Sequence, residues 1–237
     1  MKISSQHIKK LIEPHFHESI VLESYKVSCI KATKLLTNNR LDIAFKLLYL
    51  EMMDKDVEFA KEIYIDHIRA FSLGKFIEPG YEKEKKNSID KFIREFHKTY
   101  ENIKQNGFDK GKTLIPLSKN GSVANGVHRV ASAIYLKKDV ACVEIDTADH
   151  VYDYKFFYAR NIPNEILDIV ATKFLEYAEN VYIAFIWPIA ETRDEEIENK
   201  IPNIVYKKNI FLNLNGAHNL LSQIYFGEEW LGSVEDN

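Results

Sequence analysis

Residues 114–136 read LIPLSKNGSVANGVHRVASAIYL, and their reading decides the fold class. Leu114 to Leu117 form a short apolar run that ends in a polar turn, Ser118 to Ser122. Val123 and Ala124 resume an extended path, and Asn125-Gly126-Val127-His128-Arg129 then opens a helix. Val127, Val130, Ala131 and Ile134 fall at i, i+3, i+4 and i+7, which is one face of an α-helix. After it, Asp139 to Ile145 (DVACVEI) has the β-branched content of a buried strand. Strand, turn, helix and strand make a βαβ-like unit or its mixed-sheet equivalent, so the fold class is α/β.

The turn also carries chemistry. Gly126 allows a tight backbone and close approach of a ligand. The first N–H groups of the helix have no intrahelical acceptor, and together with the macrodipole they favour an anion. His128 and Arg129 stand in that same turn, where the dipole disfavours cations. A bound phosphate or a carboxylate would compensate Arg129. The competing reading is an ordinary Asn-Gly hairpin signal followed by a solvated arginine. Asn125, Gly126, Val127, His128 and Arg129 are the candidate phosphate-binding residues.

The strand, the Gly-x-His-Arg turn and the Ala-containing helix resemble the ParB/sulfiredoxin superfamily. The resemblance spans about residues 60–146 and is specific around 114–136. It implies nucleotide phosphates at Gly126, His128 and Arg129, and it groups the chain with chromosome-partitioning proteins, sulfiredoxins and free-serine kinases. Sulfiredoxins carry the catalytic Cys between the Gly and the His of this turn, where this chain has Val127. Cys29 and Cys142 lie in apolar stretches, and neither takes that place.

Bulk properties narrow the choice further. The chain has 237 residues, 46% hydrophobic and 28% charged, in the range of an ordinary globular protein. A net charge of −3 and a pI near 6.3 speak against a dedicated nucleic-acid binder. The two Cys have no framework spacing, which suggests a reducing compartment. The start lacks an apolar core segment and no run reaches the length of a membrane span, so a cytoplasmic protein is expected.

Three parts are expected: a helical N-terminal flank over 1–59, a ParB/sulfiredoxin-like nucleotide-binding core over 60–150, and an α/β extension over 151–237. Leu41, Ala44, Phe45, Leu48 and Met52 make a core-facing stripe, with Asn38-Asn39 as capping chemistry. Glu62 to Phe71 is read as helical, and Ser88 starts an amphipathic helix bearing Ile89, Phe92, Ile93, Phe96 and Tyr100. Further on, a helix is expected over 163–180, strands at 181–187 and about 204–214, and a helix near 217–226. NGVHRVASAIYL at 125–136 lines up with NGAHNLLSQIYF at 215–226, with Asn219 replacing the Arg. This places His218 beside His128 as a second candidate, although shared capping preference or chance accounts for a match of this length.

A reaction needs a base besides a phosphate site. Glu78, in KFIEPGY, is the first candidate, because the following Pro-Gly turn fixes its direction and its apolar neighbours desolvate it. The resemblance to free-serine kinases implies the same role for a Glu upstream of the turn. The alternative is a surface residue beside a turn. Arg40, Asp42 and Lys46 are candidate substrate or nucleotide contacts, with a local i,i+4 ion pair as the plainer reading of the last two. His67 is either a ligand contact or a core histidine. Asp146 is placed after a strand end, where a carboxylate suits Mg²⁺.

These readings lead to a nucleotide-dependent kinase that uses ATP, ADP or CTP with Mg²⁺ and phosphorylates a hydroxyl of a small metabolite. The Lys-, Asn-, Ile- and Phe-rich composition fits an AT-rich bacterium, where a sugar, heptose, polyol or amino acid for surface polysaccharide is one destination. The alternative is a ParB-like nucleotide-binding regulatory or assembly module without kinase activity. Neither reading requires nucleic acid or membrane as partner.

Overall fold

The computed structural model describes residues 2–76, 88–186, 194–210, 213 and 215–216. The chain divides into a unit spanning residues 1–206 and a second spanning 207–237. Of the second unit only a few residues are described, including Asn213, whose Oδ1 accepts from Gly216 N–H at 2.8 Å.

The first unit is mixed α/β. Its sheet contains β1 (Lys2–Ser4), β2 (Ser24–Lys31), β3 (Ile115–Leu117) and β4 (Asp139–Glu144) in the order β1-β2-β4-β3. The β3 and β4 strands run parallel, with Ile115 opposite Cys142, as a βαβ connection requires. The other pairings are antiparallel, and Val27 of β2 faces Val143 of β4. Residues alternate across a strand, and β4 shows why the sheet is covered on both sides. Val140 and Cys142 join the large helical core, whereas Ala141 and Val143 join a smaller core with Ile8, Leu11, Phe16 and Ile20.

The helices are α1 (Ser5–Ile8), α2 (Asp42–Met52), α3 (Val57–Ser72), α4 (Ile89–Asn106), α5 (Val127–Tyr135), α6 (Tyr154–Tyr158), α7 (Asn164–Tyr177) and α8 (Asp194–Lys200). The central helix α2 touches α3, α5 and α7, and accordingly every residue from Asp42 to Leu50 is buried. At the start of α4, Ser88 accepts from Lys91 N–H, and the helix buries Phe92, Phe96, Tyr100 and Ile103 along the expected stripe. The α3 helix begins earlier than its apolar pattern suggests, because the Asp56 side chain accepts from Phe59 N–H at 3.1 Å.

Four expectations need correction. The N-terminal flank is not simply helical, since β2 supplies an inner strand of the sheet; its alternating Tyr25 and Val27 are buried against it. Asn38-Asn39 does not cap α2, whose N-cap is Leu41; the Asn39 carbonyl instead accepts from Tyr152 N–H at 2.8 Å. Residues 181–186 form no strand, and Tyr182 and Phe185 are 84% and 58% exposed. Apolar composition supplied the strand signal there, and among the described residues no strand pairs with 181–186. Residues 204–210 likewise form no strand, while the helix expected near 217–226 lies outside the described residues.

Candidate functional site

The α5 helix follows a turn that runs back along β3, with Ala124 N–H donating to the Pro116 carbonyl at 2.9 Å, so that Arg129 of its first turn reaches Thr113 and the Leu114 carbonyl just before the strand. Val123 returns to pair with Leu117, closing the turn in which Ser118 N–H donates to Ser122 O at 2.9 Å. Gly126 then sits at φ 89°, in the left-handed region, and is the N-cap of α5. Asn125 Oδ1 accepts from Gly126 N–H at 2.5 Å, and Gly126, as the N-cap residue, has no side chain to cap the first turn of the helix. The predicted strand–turn–helix junction is therefore present, with the polarity that favours an anion.

Arg129 departs from the expectation of a solvated or ligand-facing residue. Its side chain is 17% exposed and forms an ion pair with Glu13 at 2.5 Å. Nη1 donates to Thr113 Oγ1 and, at 3.3 Å, to the Leu114 carbonyl. The compensating charge is thus a carboxylate from the segment before the short 3-10 turn Pro14–Ser19. Gly126 also acquires a different reason. A Cβ there would meet the Arg129 guanidinium at 2.6 to 2.9 Å, so the missing side chain makes room for the arginine. Beside Arg129 lies a pocket of about 260 Å³, lined in part by Lys98, Asn102, Phe108, Lys112 and Thr113.

His128 turns toward the helical core. Its Nε2 is 2.8 Å from the hydroxyl of Tyr64, which is fully buried, and its ring stacks on Phe96 at 4.5 Å. Val127, the residue at the sulfiredoxin cysteine position, is half-buried against the core. Cys142 is buried, and burial pushes its thiol up to about 12, far from a nucleophile's range. Cys29 is exposed rather than set in apolar surroundings.

Four tentative contacts converge in one place, although not as a solvent-facing clamp. Arg40, Asp42, Lys46 and His67 are all buried. Arg40 binds Asp42 in bidentate fashion, at 2.9 and 2.8 Å, and donates to the Val123 carbonyl. Lys46 Nζ lies 3.8 Å from Asp42 and 3.4 Å from His67 Nε2, so the plainer i,i+4 reading holds. Arg40 also stands over the Tyr152 ring at 5.2 Å. Burial alone would raise the Asp42 carboxyl, but Arg40, Lys46 and His67 together draw it down to about 2. His67 is held well below its ordinary value, first by burial and then by Lys46. Its Nδ1 is buried without a hydrogen-bond partner among the described residues.

Asp146 is half-exposed and pairs with Lys119 at 2.7 Å. Nearby, Asp149 accepts from Ser118 Oγ and, at 2.9 Å, from Asn120 Nδ2. These two hydrogen bonds lower the Asp149 carboxyl below the usual range. Among the described residues no group of three His, Cys, Asp or Glu is placed to hold a metal ion. Glu78 and His218 lie outside the described residues. The sequence reading missed Glu13, Thr113 and Tyr64, since none belongs to a local motif; only the need of Arg129 for a counter-charge pointed to an acid. Comparison with protein-family models, curated proteins and solved structures gives no match for the chain. Among the described residues no helix is long and apolar enough to cross a membrane.

Proposed function

We propose that this chain is a nucleotide-dependent kinase of ParB/sulfiredoxin-like type that phosphorylates a hydroxyl of a small metabolite. One observation carries the reading: the first turn of α5 opens on a left-handed Gly126, which has no side chain to cap it, and has Arg129 seated beneath that glycine. Amide donors and the helix dipole receive the nucleotide phosphates. Arg129 exchanges part of its interaction with Glu13 for a phosphate oxygen, which suits a pair at the rim of the fold better than one in its core. Mg²⁺ enters with the nucleotide as part of the substrate. The acceptor oxygen attacks the terminal phosphorus, the bond to the bridging oxygen breaks, and the hydroxyl proton passes to a carboxylate, for which Glu78 is the proposed base. A surface-polysaccharide precursor remains one class of acceptor within this reading.

The Glu13–Arg129 pair favours a second reading, a nucleotide switch without transfer chemistry. Replacing the carboxylate by a phosphate would release residues 13–19 from α5. Phosphorus NMR with ATP, ADP or CTP, Mg²⁺ and a panel of sugars, heptoses, polyols and serine separates the two. The kinase reading expects a new phosphomonoester signal from one acceptor. Nucleotide binding without such a signal would favour the switch, and absence of binding in calorimetry would remove both.

A further inference from the structure

Tyr64 is bound into the interior more completely than its role in packing requires. Its ring lies 4.9 Å from Tyr49 and 5.7 Å from Phe96, and none of the residue is exposed. A buried phenol still needs a hydrogen-bond partner, and its oxygen lies 2.8 Å from His128 Nε2. His128 is the second residue of α5, within the turn proposed to hold phosphate. The imidazole is clamped as well, since Phe96 stacks on it at 4.5 Å with an interplanar angle of 29°.

We propose that Tyr64 is a positioning residue, which donates its hydroxyl proton to His128 Nε2 and thereby fixes the neutral imidazole as the Nδ1–H tautomer. A phenol is the stronger donor of the two groups, and an unprotonated imidazole nitrogen is a better acceptor than a phenol oxygen. The bond made by one ring nitrogen decides where the other carries its proton. The imidazole then carries its proton on Nδ1, and Phe96, stacked at 4.5 Å, fixes the plane of the ring. The functional part of this inference rests on the kinase reading; the tautomer itself does not.

The test uses the full chain labelled with ¹⁵N-histidine. Two-bond proton–nitrogen spectra of the wild type should show a protonated Nδ1 and an unprotonated Nε2 at His128. In Tyr64→Phe the ring and its packing remain, the pattern should move toward the Nε2–H form, and nucleotide affinity should fall about threefold to tenfold, the worth of one ordinary hydrogen bond. A wild-type Nε2–H pattern, or a pattern unchanged in Tyr64→Phe, would overturn the proposal. If that variant does not fold, protein grown with 3-fluorotyrosine carries a more acidic phenol at the same place. Its His128 Nε2 resonance should shift, and an unmoved resonance would overturn the assignment equally. A wild type that shows the stated tautomer yet binds no nucleotide would remove the kinase reading while leaving the Tyr64–His128 assignment in place.

Discussion

Arg40 and Arg129 both donate to backbone carbonyls of the 114–126 segment, at Val123 and Leu114, but their counter-ions sit in different settings. Arg40 and Asp42 have side chains 2% and 4% exposed and share two parallel hydrogen bonds, with Lys46 adding a further positive charge. Arg129 and Glu13 are 17% and 27% exposed and join through one carboxylate oxygen. Each oxygen of Asp42 accepts from the Arg40 guanidinium, and the residue is buried. At Glu13 one oxygen makes the pair, and its other oxygen, Oε2, is buried without a hydrogen-bond partner among the described residues. Similar residue types thus serve two purposes. The buried pair ties the start of α2 to the Val123 carbonyl of the turn, and the rim pair holds Arg129 beneath Gly126.

The sharpest way to break this contrast is Asp42→Ala. It leaves two buried cations facing one another without a carboxylate, and should cost about 3–5 kcal/mol in urea unfolding. A loss below about 1 kcal/mol would show that Arg40 reaches water on its own. Arg129→Ala should cost less, about 1.5–3 kcal/mol, the range for hydrogen bonds to a charged group. It should also weaken nucleotide binding by roughly tenfold to a hundredfold. Normal affinity in calorimetry, with only stability reduced, would make Arg129 a strut of the fold and nothing more.

Much of this architecture was legible in the sequence. The helices α2, α4 and α5 were legible from their 3.6-residue period, and α4 buries Phe92, Phe96 and Tyr100 of its expected stripe, whereas α2 is buried all round from Asp42 to Leu50. The β3–α5–β4 unit was legible because its three parts are adjacent in the chain. β2 was not, since its partner is more than a hundred residues away and helical stripes dominate the sequence around it. The site divides the same way. Gly126, His128 and Arg129 form a local motif, whereas Glu13 and Tyr64 reach them only through tertiary folding, over separations of 116 and 64 residues.

Acid sharpens the comparison next. Asp42 lies below its ordinary value of 3.8, at about 2, so its stabilising contribution is complete above pH 4 and lost as pH falls toward 2. The shift corresponds to about 2 kcal/mol. His67 also lies below its ordinary 6.5, so the unfolded chain takes up the proton first and stability declines as pH falls below 6.5. The drop in stability between pH 6.5 and 4.5 should be larger in wild type than in His67→Gln. Equal slopes would mean that His67 is protonated in place. The smallest effect belongs to Asp146→Asn, whose exposed partner Lys119 makes a change of about 0.5 kcal/mol the expectation. A strong fall in Mg²⁺-dependent turnover in that variant would return Asp146 to the role of a metal ligand.

The placement of β2 beside β4 bears on how the chain is made. Val27 waits for Val143, so 116 residues must leave the ribosome before the inner strands of the sheet meet. At about 5–20 residues per second this delay is on the order of ten seconds. During it, β2 has only the short β1 as a neighbour, while α2 and α3, adjacent in the chain, have each other to pack against. The parallel pairing of β3 with β4, between which α5 lies in the chain, likewise needs the chain out to Glu144.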